Sequence, residues 1–310
     1  MAVATAVAAL ALPAALALLL SSGRALAQTQ TPLAGHYPPG QSGLRGAACP
    51  AVGWSLTNFN RFFSNLEMKN GSGAAVQDVD EVRYANITMI TWTTTHRFLG
   101  MSYGAMAGIP FSTGNLNPSD GDTENSQFGL GDVLLTPVAL SGRDSSFDYT
   151  IQLTAWSASG RYSPGALDNR GSGFWALVYS LGGVWYPTQD RREWAVSALA
   201  RIEQNLEQKD TGVTPGDDLV IDWGIGKTVQ AGGRPLDCGV SGFATWQLTD
   251  QSSDDPADPI PGRYRYFGIG PEANIALSDR FAFRVRAHWE FDARNAVQGN
   301  NLWLIFNVRL

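Results

Sequence analysis

The sequence predicts an all-β fold, a transmembrane antiparallel up-and-down β-barrel of about 12 strands with short periplasmic turns and long extracellular loops. Three observations carry that prediction. In Arg280 to Asp292, Phe281, Phe283, Val285, Ala287, Trp289 and Phe291 alternate with Arg280, Arg284, Arg286, His288, Glu290 and Asp292, interrupted only by Ala282. On a strand the two sets face opposite sides, one greasy and one ionic; a helix would mix them. The connections between such segments alternate long and short along the chain. After Ala27, no run of about 18 apolar residues remains to cross a membrane as a helix.

The chain begins with an almost pure Ala/Leu/Val run, Ala2 to Leu20, followed by Ala25-Leu26-Ala27. That pattern reads as a secretory signal peptide over residues 1–27, cleaved after Ala27. The rest is Gly-rich, the whole chain is only 16% charged with a formal net charge of −6, and no basic stripe is present, so no nucleic-acid partner is expected. Two cysteines are few for an exported chain and exclude an extensive disulfide framework. Residues 28–50 are polar and rich in Pro and Gly, centred on His36-Tyr37-Pro38-Pro39-Gly40. Two consecutive prolines cannot join a sheet interior, so this is an arm, either a plug folded into the lumen or a periplasmic tail.

The barrel then occupies residues 51–310, with strands expected at 51–66, 81–95, 99–107, 127–141, 147–157, 174–186, 192–204, 218–229, 235–248, 263–276, 280–292 and 301–310. The stretch 99–107 is short and rich in Gly and Ala, which leaves ten or fourteen strands open. Phe147, Tyr149, Ile151 and Leu153 oppose Asp148, Thr150, Gln152 and Thr154. Leu219, Ile221, Trp223, Ile225 and Val229 oppose Asp218, Asp222 and Thr228, and Trp194, Val196, Ala198, Ala200 and Ile202 oppose Ser197, Arg201 and Glu203. Long connections at 67–80, 108–126, 158–173, 205–217, 249–262 and 293–300 alternate with short ones, as expected of a bacterial outer-membrane barrel with both termini in the periplasm. The apolar face then meets outer-membrane lipid and the polar face lines the lumen. Trp54, Trp92, Trp185, Tyr186, Trp194, Trp246 and Tyr264 are candidates for the interfacial aromatic girdles. The last strand, alternating through Leu310, suits a closing strand recognised by the barrel assembly machinery.

Arg201, Glu203, Asp218, Asp222, Arg284, Arg286, His288 and Glu290, with Asp292, are the candidate lumen-lining residues. They either set solute selectivity or pair across adjacent strands and stiffen the wall. Cys49 and Cys238 sit near the short-turn rim, but Cys238 shares parity with Val240 and Trp246 on the lipid side, and its strand lies far around the ring from the first. A bond between them is therefore disfavoured. The histidines, His36, His96 and His288, fall in the arm, a short turn and the lumen face, and no G-x-S-x-G elbow is present. Catalysis, a metal site and a cofactor are not expected; Asp254, Asp255 and Asp258 read as a solvated acidic loop.

The motifs resemble those of the bacterial outer-membrane family associated with phenol meta-pathway degradation. His36-Tyr37-Pro38-Pro39-Gly40 is similar to its H-Y-x-P-G signature. So are Gly131-Asp132 with Pro137, Gly160-Arg161-Tyr162-Ser163-Pro164-Gly165, Asn205, Gly216-Asp217-Asp218-Leu219-Val220-Ile221-Asp222, and Glu290-Phe291 with Arg294-Asn295 and Gly299. Ala158-Ser159 stands where a Pro-Thr is expected, and Cys49 is a further departure. The resemblance implies a channel for small hydrophobic or aromatic compounds, comparable to fatty-acid channels. The alternative expectations are a sealed structural or adhesin-like barrel and a soluble secreted all-β protein.

Overall fold

The computed structural model describes residues 32–115, 128–166, 169–188, 190–191 and 193–310. The expected leader, residues 1–27, and the first arm residues, 28–31, lie outside them. Twelve long strands build the molecule: β1 (Gly53–Lys69), β2 (Ala75–Phe98), β3 (Met101–Asn115), β4 (Leu134–Arg143), β5 (Phe147–Trp156), β6 (Ala176–Trp185), β7 (Trp194–Asn205), β8 (Asp218–Ala231), β9 (Arg234–Gln247), β10 (Arg265–Ala276), β11 (Phe281–Arg294) and β12 (Ala296–Arg309). Each pairs antiparallel with the next, and β1 pairs with β12 from Ser55 opposite Arg309 to Lys69 opposite Ala296. The sheet thus closes into a barrel with no free edge, the condition for a sheet to survive in hydrocarbon.

The period-two pattern decides which side chain meets which medium. In β5, Phe147, Tyr149, Ile151 and Leu153 are exposed on the outer surface while Asp148, Thr150 and Thr154 are buried inside. The same division holds in β7, where Trp194, Val196 and Ile202 face out and Ser197, Arg201 and Glu203 face in. Trp54 and Trp92 stack at 5.6 Å on the outer surface near the periplasmic rim. A cluster of polar side chains from β1 and β2 shares this outer face. Asn58 donates to Asn86 Oδ1 and Thr88 Oγ1, and Tyr84 and Asn86 both donate to Asn60 Oδ1, so these groups satisfy one another where lipid cannot.

Two of the periplasmic turns are tight hairpins. Leu99–Gly100 and 232–233 place both residues at positive φ (51° and 81°; 60° and 78°), the primed-turn geometry that matches strand twist. On the outer rim the connections at residues 206–217 and 248–264 are long, and Val213–Thr214 pairs with Ser252–Ser253 across them. Two connections expected to be long are not. β1 and β2 run on until only residues 70–74 separate them, where Asn70 Oδ1 accepts from Ser72 and Ala74 backbone N–H groups. β11 and β12 are joined by Asn295 alone, at φ 47°. Polar composition marked both as loops, but neighbouring strands pair through them.

The expected fourth strand, 127–141, is interrupted. Gly129–Leu130 pairs with β3, then residues 131–133 leave the ladder so that Asp132 turns inward. Two of the seven expected girdle residues also face the lumen. Tyr186 is buried with its hydroxyl donating to Asp148, and Tyr264 donates to Asp218 at 2.7 Å. Successive strand residues alternate, so Trp185 outward forces Tyr186 inward. Asp292 has left the lumen face: at φ 48° it breaks the alternation and pairs with Arg265 (2.7 Å) and Arg294 (3.6 Å) at the exposed rim. His96 belongs to the end of β2 instead of a turn, and Cys49 and Cys238 are both free thiols.

Candidate functional site

A Pro/Gly-rich segment has backbone donors but no strand partner, and a buried N–H must find an acceptor. The arm meets this requirement inside the barrel. It descends from the outer mouth, where Leu33 N donates to Gln251, to the periplasmic rim, where Arg143 holds the Cys49 carbonyl. Along the way six backbone N–H groups are accepted by four wall carboxylates: Gly35 by Asp218, His36 and Tyr37 by Glu203, Gly40 and Ser42 by Asp222, and Leu44 by Glu272. Distances run from 2.6 to 3.1 Å. Tyr37 adds a 2.5 Å hydroxyl bond to Asp222. Charged acceptors make such bonds roughly twice as strong as neutral ones.

Guanidinium groups complete the seat. Arg286 donates to the Gly40 carbonyl and makes two bonds to Glu272 (2.7 and 3.0 Å), and both partners are fully buried. Arg201 bridges Asp222 (3.2 Å) and Ser42 Oγ (2.6 Å) and lies 4.0 Å over the Tyr37 ring. Arg45 anchors the lower arm to Asp237 and Thr228. Gly40 and Gly43 hold φ at 85° and 60° and lie close against His288 and Arg286; a side chain at either position would collide with them. Pro38 and Pro39, which lack N–H groups, make no demand on the wall.

His36 is the arm's outermost clamp. Its Nδ1 lies 2.9 Å from Glu203 and its Nε2 3.3 Å from Asp132, while the ring stacks on Trp156 and abuts Phe174. Burial alone would lower the imidazole, but hydrogen bonds and charge from Asp132 and Glu203 outweigh it and raise the pKa from 6.5 to about 9. Burial likewise opposes charge on Asp132, in the loop before β4, yet His36 and the Ser172 and Gly160 N–H groups hold it below the usual carboxylate range. A raised histidine stabilises the folded arm fully below pH 6.5 and loses that contribution as pH rises through about 9. A lowered aspartate contributes above its ordinary 3.8 and loses the contribution only as pH falls further. The arm is therefore expected to loosen as pH rises from about 6.5 to about 9, read as faster protease cleavage within residues 32–50. His36→Gln should abolish that pH dependence, and an unchanged cleavage profile would refute the clamp.

The candidate lumen residues thus divide. Arg201, Glu203, Asp218, Asp222, Arg284 and Arg286 converge on the arm. His288 is fully buried against Phe243, with Nε2 3.1 Å from Ser241 Oγ. Glu290 lies apart, accepting from Asn301 and Gly299 N. The family-like motifs of separate strands also meet here: Asp132 faces His36, and Asn205 donates to the Gly216 carbonyl and Asp218.

Between the arm and the barrel wall lies a cavity of about 460 Å³, lined mostly by β1–β6 with Arg201 of β7, Arg284 of β11 and Ile305 of β12, and reaching Ala48 and Pro50 at the periplasmic rim. Its wall combines an apolar set, Phe59, Met89, Met106, Leu134, Trp156 and Val178, with a polar set, Thr136, Thr150, Gln152, Thr154 and Ser180, in part at successive inward positions of the same strands. This apolar wall, together with the buried Trp303 and Ile305, is absent from the expected ionic lumen. Lumen-facing apolar residues were detectable by parity, since Trp303 and Ile305 share it with Asn307.

The fold is that of an outer-membrane channel from Pseudomonas putida F1, with a TM-score of 0.69 at 15% identity, covering 89% of this chain and 100% of that one. The β domain of the Bordetella autotransporter BrkA scores 0.48 at 12% identity, covering 84% and 100%, and the Ralstonia pickettii toluene transporter TbuX 0.41 at 13%, covering 87% and 92%. No curated protein matches the chain in sequence. The closed barrel with its apolar belt is a bacterial outer-membrane protein in contact with lipid. A family model described as "Putative MetA-pathway of phenol degradation" matches residues 66–306, so the chain belongs to that family.

Proposed function

We propose that the protein is an outer-membrane channel for passive uptake of small hydrophobic or aromatic compounds, with residues 32–50 as a lumenal plug. The observation that carries this reading is the half-apolar cavity of about 460 Å³ within the lumen, a size suited to a small molecule, bounded by an arm held through side chains. His36, Tyr37, Pro38, Pro39 and Gly40 form the plug's head; Arg201, Glu203, Asp218, Asp222, Arg284 and Arg286 retain it, and His288 and Glu290 support that wall. The family and the resemblance to the Pseudomonas putida channel fold support transport. Catalysis has no matching support, because Ser241 and His288, which approach each other, are both completely enclosed. The C-terminal strand β12, which seals the ring, is the segment we assign to the barrel assembly machinery, and residues 1–27 to a cleaved export signal.

The test is uptake of labelled aromatic and alkane solutes by cells with and without the protein, paired with swelling of liposomes that contain it. Faster entry of the aromatic solutes supports the channel. Equal uptake, with a correctly folded and heat-modifiable barrel, leaves a sealed structural barrel instead.

A further inference from the structure

The charged residues lining the cavity, among those described, are Arg45, Arg201 and Arg284; neither Asp nor Glu lines it. The acidic side chains of this wall are turned to the arm, where they accept its backbone N–H groups. What remains facing the empty space is cationic. The three arginines are not equally satisfied. Arg45 is bound to Thr228, two carbonyls and Asp237, and Arg201 to Asp222 and Ser42. Arg284 makes one long bond, 3.4 Å to the Ser42 carbonyl, and its buried Nε has no hydrogen-bond partner. Its nearest carboxylate, Glu272 at 3.4 Å, is already committed to Arg286 and Leu44 N.

Strand register places this guanidinium beside the apolar wall. Arg284 lies opposite Ile305 in β12, Ile305 opposite Phe59 in β1, and Phe59 opposite Ile87 in β2. Phe59 and Met89 pack on the buried cluster that includes Leu134 and Trp156. The cavity therefore offers a cation beside apolar side chains, and the one carboxylate near that cation, Glu272, lies outside the lining and is neutralised by Arg286. We propose that the cavity binds small aromatic carboxylates, with the carboxylate on Arg284 and the ring against Phe59 and Met89. This rests on the channel reading and narrows its solute class.

The experiment is calorimetric titration of the detergent-solubilised full chain with benzoate, benzyl alcohol and benzylammonium, which share a ring and differ in charge. Benzoate should bind about tenfold more tightly than benzyl alcohol, the size expected of a charge-assisted hydrogen bond, and benzylammonium most weakly. In Arg284→Gln the benzoate to benzyl alcohol ratio should fall to about one, while Arg284→Lys keeps most of it and controls for folding. Equal affinities for the three probes, or a ratio unchanged in Arg284→Gln, would overturn the proposal. Proteoliposome flux of benzyl alcohol is scored separately: no flux with charge-selective binding intact defeats the channel and leaves the site standing.

Discussion

Gly299→Val should stop the barrel from closing correctly. A Cβ at Gly299 would lie 1.6 Å from the Ser64 carbonyl oxygen and 3.2 Å from the Asn65 Cα, both backbone atoms of β1 directly across the seam from β12. The clash falls where the register shifts between Asn65 and Glu67, so the two strands approach closely through a bulge that glycine permits. No rotamer change relieves contact with backbone. The Gly299 N–H also donates to Glu290, which ties the same spot to β11. The expected cost is about 3 kcal/mol or more, the upper range for overpacking. It should appear as loss of the compact, fast-migrating band on unheated gels, while Ser72→Ala in the exposed β1–β2 turn keeps that band. A Gly299→Val protein with normal heat-modifiability and melting temperature would show that the seam tolerates a side chain.

Asp222→Ala should unseat the arm while leaving the barrel closed. Asp222 is buried and accepts from Tyr37 OH, Gly40 N, Ser42 N and Arg201, so truncation strands four donors together. Breaking a buried charged network of this kind costs about 3–5 kcal/mol. The wall strands retain their ladder hydrogen bonds, so the loss falls on the arm. The expected outcome is protease cleavage within residues 32–50 and at least about tenfold faster entry of small aromatic solutes into liposomes. An arm that stays protected in Asp222→Ala would mean that the remaining carboxylates suffice to hold it.

Much of the barrel was legible because lipid imposes a strict rule. Phe147 to Thr154 and Trp194 to Glu203 alternate in sequence as they alternate in space, and turn residues such as Gly232 and Gly233 sit where two-residue hairpins require them. Element ends were less legible. Residues 67–80 and 293–300 read as loops from composition, yet β1, β2, β11 and β12 pair through them, since lumen and rim positions accept polar side chains and leave no hydrophobic mark. The site was half legible. Parity aimed Glu203, Asp218, Asp222 and Arg286 inward, but not at what. Their partners are mainly backbone groups of Gly35 to Leu44, more than 160 residues away in the chain for Glu203, and a backbone N–H has no residue identity to read. The N–H donors without a strand partner in a Pro/Gly-rich arm, set against inward carboxylates, were the available signal.

The path of the arm also constrains the order of assembly. Residue 33 lies at the outer mouth and β1 starts at the periplasmic rim, so the finished ring of strands surrounds its own N-terminal segment like a bead around a thread. The joint between β1 and β12 is made by the first and last strands of the chain. Either the thread is laid along β7, β8 and β10 before that joint forms, or it is drawn through a completed lumen against Trp156 and Phe174. Laying it first lets the acids of those strands meet their donors while the sheet is still open, and the closing strand then locks in a segment already bonded in place.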